Sequence, residues 1–214
     1  MLGKTKISWL AVAAVLFMPF SATTQEGDAR TLPDLVMVQV PALGATSYTD
    51  WEGLPAPPDR CLDGTRIVRV ESSSGGSVVL TPEFTGACDP DVSFDGETVV
   101  FAGKRDEASS WQIWSMNADG SEKVQITEGP GRHVAPVYAG ARFYLDDPQP
   151  TPQIIYAGDE PDAGSLSLYG TDLEGTSRRR LTFNPLSDFS PAVLPTGRIV
   201  FGSWPVSYTH LRAH

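Results

Sequence analysis

The stretch Asp89–Thr127 reads DPDVSFDGETVVFAGKRDEASSWQIWSMNADGSEKVQIT. Asp91–Phe94 is a short strand, and Asp95-Gly96 marks a tight turn because glycine takes positive φ at no steric cost. Thr98–Ala102 and Trp111–Met116 are β-branched and aromatic runs. Asn117-Ala118-Asp119-Gly120 is a second turn, and Lys123–Thr127 is a fourth strand. Val99-Val100-Phe101 and Ile113-Trp114 are apolar without alternation. A sheet with that pattern must bury both faces, so it needs a neighbour on each side.

The neighbours are in the sequence. Leu80-Thr81, Ile126-Thr127 and Leu181-Thr182 each close a unit, in steps of 46 and 55 residues. Pro90, Pro136 and Pro191 each open the next, in the same steps of 46 and 55. Two independent markers in phase, at a spacing of about 40–50 residues, predict a repeat array of the propeller type. The expected fold is all-β: a β-propeller of four-stranded antiparallel blades, about three and a half of them, with the ring incomplete.

Pro90, Phe94-Asp95-Gly96, Val100-Phe101, Ile113 to Ser121 and Ile126-Thr127 resemble the TolB-type, WD-repeat-like propeller repeat. The likeness is partial from Pro136 to Thr182, where Asp172-Leu173-Glu174-Gly175-Thr176 replaces the second turn, and it resumes from Ser190 to Phe201. It implies a propeller of six or more blades, outside the cytoplasm, that binds other proteins.

Outward from the repeats, four regions are expected. Residues 1–24 read as a secretory signal: Lys4 and Lys6, then an apolar run from Ile7 to Phe20, then Ser21-Ala22-Thr23-Thr24. That run is too short to span a bilayer comfortably, so no membrane span is expected after cleavage; an uncleaved anchor is the alternative. Residues 25–64 hold a strand at Asp34–Val40 and a proline-rich loop, 65–205 hold the propeller repeats, and 206–214 stand apart. VSYTHLRAH reads as a translation of GTC TCT TAT ACA CAT CTC CGA GCC CAC, which resembles the end of a transposon-based sequencing-library adapter, so natural sequence is expected to stop near Trp204 and to continue in the whole protein. Tyr138–Ile154, with its prolines, reads as an insertion in the third repeat.

Hydrophobic residues make up 41% and charged residues 20%, which places the chain among globular rather than disordered proteins. Without the two ends, Lys4, Lys6 and Arg212 leave the 16 basic residues while all 26 acids remain, a net charge of −13. Nucleic acid and anionic membrane both need a basic footprint, so neither is expected as a partner.

Chemistry-bearing residues are few. His133 is the single histidine outside the adapter, and it reads as a structural or solvent-facing loop residue. A serine or cysteine hydrolase needs an imidazole beside its nucleophile, and no such constellation is evident. No catalytic, cofactor or metal residues are assigned, and no cofactor is expected. Asn117, Asp119 and Ser121 lack the spacing of a calcium loop and read as a turn. Asp146, Asp147, Asp159, Glu160 and Asp162 read as solvated loop acids, and Arg178-Arg179-Arg180 as edge-strand charge. Cys61 and Cys88 are expected either to form a disulfide between neighbouring blades or to stand as two buried thiols. Trp51, Tyr144 and Trp204 are candidate binding aromatics, with packing between blades as the alternative.

These readings give an exported, periplasmic or secreted, non-catalytic module that binds a protein or a cell-envelope component. The alternative is the accessory propeller of a larger enzyme, either a prolyl-oligopeptidase-type serine peptidase or a haem protein resembling the hydrazine synthase alpha subunit.

Overall fold

The computed structural model describes residues 33–41, 61–144, 147–159 and 165–204, with a further strand at 10–12. Every regular element among them is a strand, and every pairing is antiparallel. The first sheet runs β1 (Leu10–Val12), β2 (Leu35–Val40), β3 (Arg66–Val70), β4 (Ser77–Val79). The second runs β5 (Gly86–Val92), β6 (Thr98–Lys104), β7 (Gln112–Asn117), β8 (Val124–Gln125). The third holds β9 (His133–Tyr144), β10 (Asp147–Asp159), β11 (Leu166–Thr171) and β12 (Arg179–Arg180) in that order across the sheet. A hairpin of β13 (Asp188–Val193) and β14 (Ile199–Ser203) begins a fourth, so the ring is open. The inner strands β5, β9 and β13 pack in succession against one another. β1, inside the segment read as a leader, takes the equivalent place in the first sheet by pairing Leu10 with Val40.

Each sequence landmark has a structural task. The outermost strands are only two or three residues long, too short to hold themselves by ladder bonds. The closing Leu-Thr or Ile-Thr extends their grip. Leu80, Ile126 and Leu181 donate backbone N–H to the carbonyls of Ile67, Ile113 and Leu168. In return Thr81, Thr127 and Thr182 accept the N–H of the same three residues on Oγ1, at 3.0, 2.8 and 2.9 Å. The opening prolines sit at bulges. Asp89, Ala135 and Ser190, each just before its proline, have φ of 49°, 52° and 50°. At the same places the register slips, between Cys88 and Asp91, between Ile155 and Ala157, and between Phe189 and Ala192. A bulge gives the extra residue no ladder partner, which suits a residue that has no N–H to donate.

Because β5 continues on both sides of its bulge, it starts at Gly86 rather than Asp91, pairing Gly86 with Lys104. The predicted insertion at 138–154 is likewise no loop: β9 and β10 run through it as a long hairpin.

Cores form between sheets. Ile67, Leu80, Phe84, Val99, Phe101, Trp114 and Met116 pack the first sheet onto the second. Val100, Ala102, Ile113, Ile126, Ile154, Tyr156 and Leu168 pack the second onto the third. Val99, Val100 and Phe101 are thus buried in succession on opposite faces, and full burial of such a side chain contributes about 1.5–3 kcal/mol. The turn glycines Gly120 and Gly175, at φ 87° and 77°, lie against Leu80 and Ile126 of the preceding sheet, where a side chain would clash. At the inner strands, Asp91 Oδ2 accepts the Tyr138 N–H at 2.7 Å, and Tyr138 Oη meets Thr98 Oγ1 at 2.8 Å. Cys61 and Cys88 are joined as a disulfide with Cα atoms 5.4 Å apart, tying the segment before β3 to β5.

Two outcomes test this account. Thr81→Val strands the buried Ile67 N–H without an acceptor and should cost about 1–3 kcal/mol in urea unfolding, whereas Thr81→Ser keeps the bond and should cost about 1 kcal/mol for the lost methyl. Equal losses for both would show that the hydroxyl does not latch the strand. Reduction of the disulfide, whose partners are 27 residues apart, should lower stability by about 3–4 kcal/mol in the chain-entropy account, and unchanged melting with and without reductant would refute that.

Candidate functional site

The linker from β8 to β9 builds a cluster of buried titratable groups around His133. Thr127 ends the latch, Gly129 turns the chain at φ 114°, and His133 opens β9 with 1% of its surface exposed. Gly131 must be glycine: a Cβ there would stand 2.5 Å from the Asp159 carbonyl oxygen. Arg132 and Asp159 close the linker onto β10, the Arg132 N–H donating to Asp159 Oδ1 and the Asp159 N–H to the Arg132 carbonyl.

Gln112 organises the interior. Its Nε2 donates to the carbonyls of Gly129 and Gly131, at 2.9 and 3.0 Å, which fixes the amide orientation. Its Oε1 is therefore the acceptor, taking the Thr127 hydroxyl at 2.8 Å and His133 Nδ1 at 2.8 Å. An amide oxygen cannot donate, so His133 carries its proton on Nδ1. Burial, and then the Arg178 guanidinium, push the imidazole pKa from 6.5 down to about 4, against the opposing pull of Asp159. At neutral pH the ring is uncharged, and Nε2 is a lone-pair acceptor. It is buried and has no hydrogen-bond partner.

Tyr156 stands edge-on to His133 with ring centroids 5.2 Å apart, and stacks on Tyr169 at 5.8 Å. Burial raises its phenol to about 12 despite Arg178 nearby. Gly158 makes room, since a Cβ there would meet His133 Cδ2 at 2.8 Å. Arg178 lies over the Tyr169 face, 4.3 Å from its centroid. His133, Arg178, Asp159, Glu128 and Gly131 together line a cavity of about 220 Å³.

A second cavity, of about 250 Å³, shares Gly129 as a wall and reaches Arg105, Ser109, Gln112 and Trp114. Arg105 lies over Phe84 and Trp114, at 4.9 and 4.7 Å from the ring centroids. Both cavities are therefore walled by an arginine seated on aromatic rings.

Most residues singled out in the sequence lie elsewhere. Trp51 is outside the described residues. Tyr144 stands in β9 opposite Asp147, and half-buried Trp204 follows β14, its ring 6.5 Å from Phe189. Trp204 is not among the residues that line the two cavities. His133 is a buried strand residue rather than a loop residue, because it pairs with Gly158 of β10, while its N–H bonds the Trp111 carbonyl of the neighbouring sheet. Asp159 ends β10 rather than lying in a loop. The arginine run is only partly solvated: Arg179 donates to Gln153 Oε1, and Arg180 to Ser167 Oγ and the Thr182 carbonyl. Asn117–Ser121 is a turn, with the Ser121 N–H on Asp119 Oδ1 at 2.8 Å. Cys61, Cys88 and Asp89 have metal-ligand spacing, but both sulfurs are taken up by the disulfide. Sequence reasoning missed Gln112, Tyr156 and Arg105; no motif marks them. Among the described residues no helix is long and apolar enough to cross a membrane.

The pKa of His133 fixes a sign. Unfolded histidine takes its proton near pH 6.5 and folded His133 near 4, so stability is complete above 6.5 and falls as pH drops through that window. Urea unfolding at pH 7 and pH 5 should differ by about 2 kcal/mol, and His133→Gln should remove most of that difference. An unchanged slope in the variant would show that another group titrates. Asp172 and Asp188, whose carboxyls burial raises but several hydrogen bonds together bring below the usual carboxylate range, lose their contribution at still lower pH.

No family model matches the chain. Two curated proteins are similar. The hydrazine synthase subunit alpha of Kuenenia stuttgartiensis is 27% identical over 189 residues, which cover 66% of this chain and 23% of that one. An uncharacterized protein of Agrobacterium fabrum is 26% identical over 147 residues, covering 68% of this chain and 46% of that one. The chain thus spans less than half the length of either relative. Among solved structures, the Kuenenia stuttgartiensis hydrazine synthase superposes with a TM-score of 0.56 at 24% identity, over 65% of this chain and 24% of that one. The TolB-type structure from Agrobacterium tumefaciens superposes with a TM-score of 0.52 at 24% identity, over 64% and 45%. The fold is accordingly that of the TolB-type β-propellers, present as an open arc.

Proposed function

We propose that the chain is an exported, non-catalytic binding propeller of the cell envelope, and that its partner is a protein docking at the blade ends beside the 128–133 linker. The observation that carries this reading is the recurrence of arginine on aromatic rings: Arg105 on Phe84 and Trp114, and Arg178 on Tyr169, each walling one of two adjoining cavities. Arginine, tryptophan and tyrosine dominate the residues that carry protein–protein binding energy. A net charge of −10 for the whole chain supports a protein over nucleic acid as the partner. The His133 imidazole supports a binding role too, since its Nδ1 proton is committed to Gln112 and its neighbours in the cluster include no serine or cysteine.

A second reading has one observation in its favour. The alpha-subunit relative is an enzyme subunit of which this chain covers 23%. The propeller would then accompany a catalytic part elsewhere in a longer chain. Reading the source DNA past the Trp204 codon separates the two: a Gly-x-Ser-x-Gly elbow or a Cys-x-x-Cys-His motif downstream would favour the enzyme.

The binding reading is tested by site-specific photo-cross-linking in the producing cell. A photoreactive side chain at exposed Ala108, beside Arg105, should yield a discrete adduct, and one at Asp95, at the opposite end of β6, should not. Arg105→Ala and Arg178→Ala should each reduce the adduct about tenfold. Equal adducts from both positions, or none from Ala108, would refute docking at this end.

A further inference from the structure

We infer that the His133–Arg178 cavity is a carboxamide subsite: it takes a group that offers one N–H to His133 Nε2 and one carbonyl oxygen to Arg178. The inference deepens the protein-binding reading and rests on it for the source of the amide, a glutamine or asparagine side chain of the partner.

The argument is one of polarity fixed by hydrogen bonds. The carbonyls of Gly129 and Gly131 hold the Gln112 amide in one orientation, and its Oε1 holds the His133 proton on Nδ1. Nε2, buried in a residue that lines the cavity, is then an unpaired acceptor that can be satisfied only by a donor. A buried polar atom left unmet costs more than a made hydrogen bond contributes. Arg178, on the same wall, has the opposite polarity: its guanidinium has N–H donors only, and its Cζ lies 4.3 Å from the Tyr169 ring centroid.

The same wall rejects simpler groups. A carboxylate would satisfy Arg178 but would set its charge against the His133 lone pair and against Glu128 and Asp159. An ammonium would satisfy His133 but would face the Arg178 charge. An alkyl group would leave the buried His133 Nε2 unmet. The carboxamide is the common side-chain group that is neutral, planar, and donor and acceptor at once. Size agrees: about 220 Å³ is less than the roughly 300 Å³ at which pockets for drug-sized ligands begin, and suits a side-chain tip.

The test uses the full chain with nitrogen-15 histidine, read by NMR. Free propionamide, propionate and n-propylammonium are titrated separately while the His133 Nε2 resonance is followed, with His133→Gln identifying that resonance. Propionamide should give a saturable shift and bind about tenfold more tightly than either ion, the cost of one unmet polar group. Arg178→Met, which keeps an apolar arm over Tyr169, should weaken propionamide about tenfold and leave the propylammonium titration no weaker. No saturable shift with propionamide, or equal affinities for all three probes, would overturn the subsite. Displacement of the partner by propionamide added before irradiation, read as loss of the Ala108 adduct, would assign the amide to a partner side chain. Saturation without displacement would assign it to a free amide, and would leave protein docking to stand or fall on the Ala108 adduct alone.

Discussion

Everything in this architecture hangs on a threonine hydroxyl that accepts a backbone N–H fourteen residues back in sequence. The outer strands have two or three residues, and a strand that short has too few ladder bonds to define where it ends. The Thr81, Thr127 and Thr182 bonds define it. Each places the last outer residue over Ile67, Ile113 or Leu168, whose side chains are themselves in the cores. Two further features depend on that placement. Leu80 and Ile126, held by the latch, are the surfaces on which the Gly120 and Gly175 turns of the next sheet rest. The linker also leaves from the same point, so the latch sets where the next inner strand begins.

The inner strands meet a different constraint. Successive blades must splay at the rim and converge at the centre, so the innermost strand needs extra twist. The bulges at Asp89-Pro90, Ala135-Pro136 and Ser190-Pro191 supply it. The cost is a non-glycine residue at φ near 50° in each blade, of order 1–3 kcal/mol per site. It is met by neighbouring contacts that over-determine the backbone: the Cys61–Cys88 bond beside Asp89, and the Asp91–Tyr138 bond between bulges.

The same comparison explains what the sequence reveals and what it hides. Latches and bulges need a particular residue type at a particular place, so they recur in register and can be counted without a structure. Strand extent is less legible because pairing, unlike a cap or turn, needs no special residue: β5 reaches back to Gly86 through a stretch that reads as a linker. The hairpin at 139–153 was hidden by Pro148, Pro150 and Pro152. Prolines ordinarily argue against a strand, but they are tolerated along an edge, and the β9–β10 register is irregular on both sides of Thr151. β11 pairs with β10 only from Ile154 onward, so one edge of that stretch is free and the prolines cost no ladder bond there. The cavity residues were illegible for another reason. Gln112 and His133 are 21 residues apart, Arg178 is farther still, and only the stacking of two sheets brings them together.

The His133 cluster shows how an open arc of sheets can hold a polar group more firmly than its exposure to solvent at the rim suggests. Two backbone carbonyls of the linker orient an amide, the amide orients an imidazole, and the imidazole keeps a buried lone pair on Nε2. Every step is a donor meeting an acceptor that cannot reverse its role, so the polarity at Nε2 is inherited from the fold of the linker. Thr127 stands at the junction, using its lone pair for the Ile113 latch and its proton for Gln112 Oε1. The hydroxyl that ends the outer strand therefore also fixes the polarity of the cavity. Latch and cavity wall are one hydrogen-bonded unit, and a change that weakens the first must disturb the second.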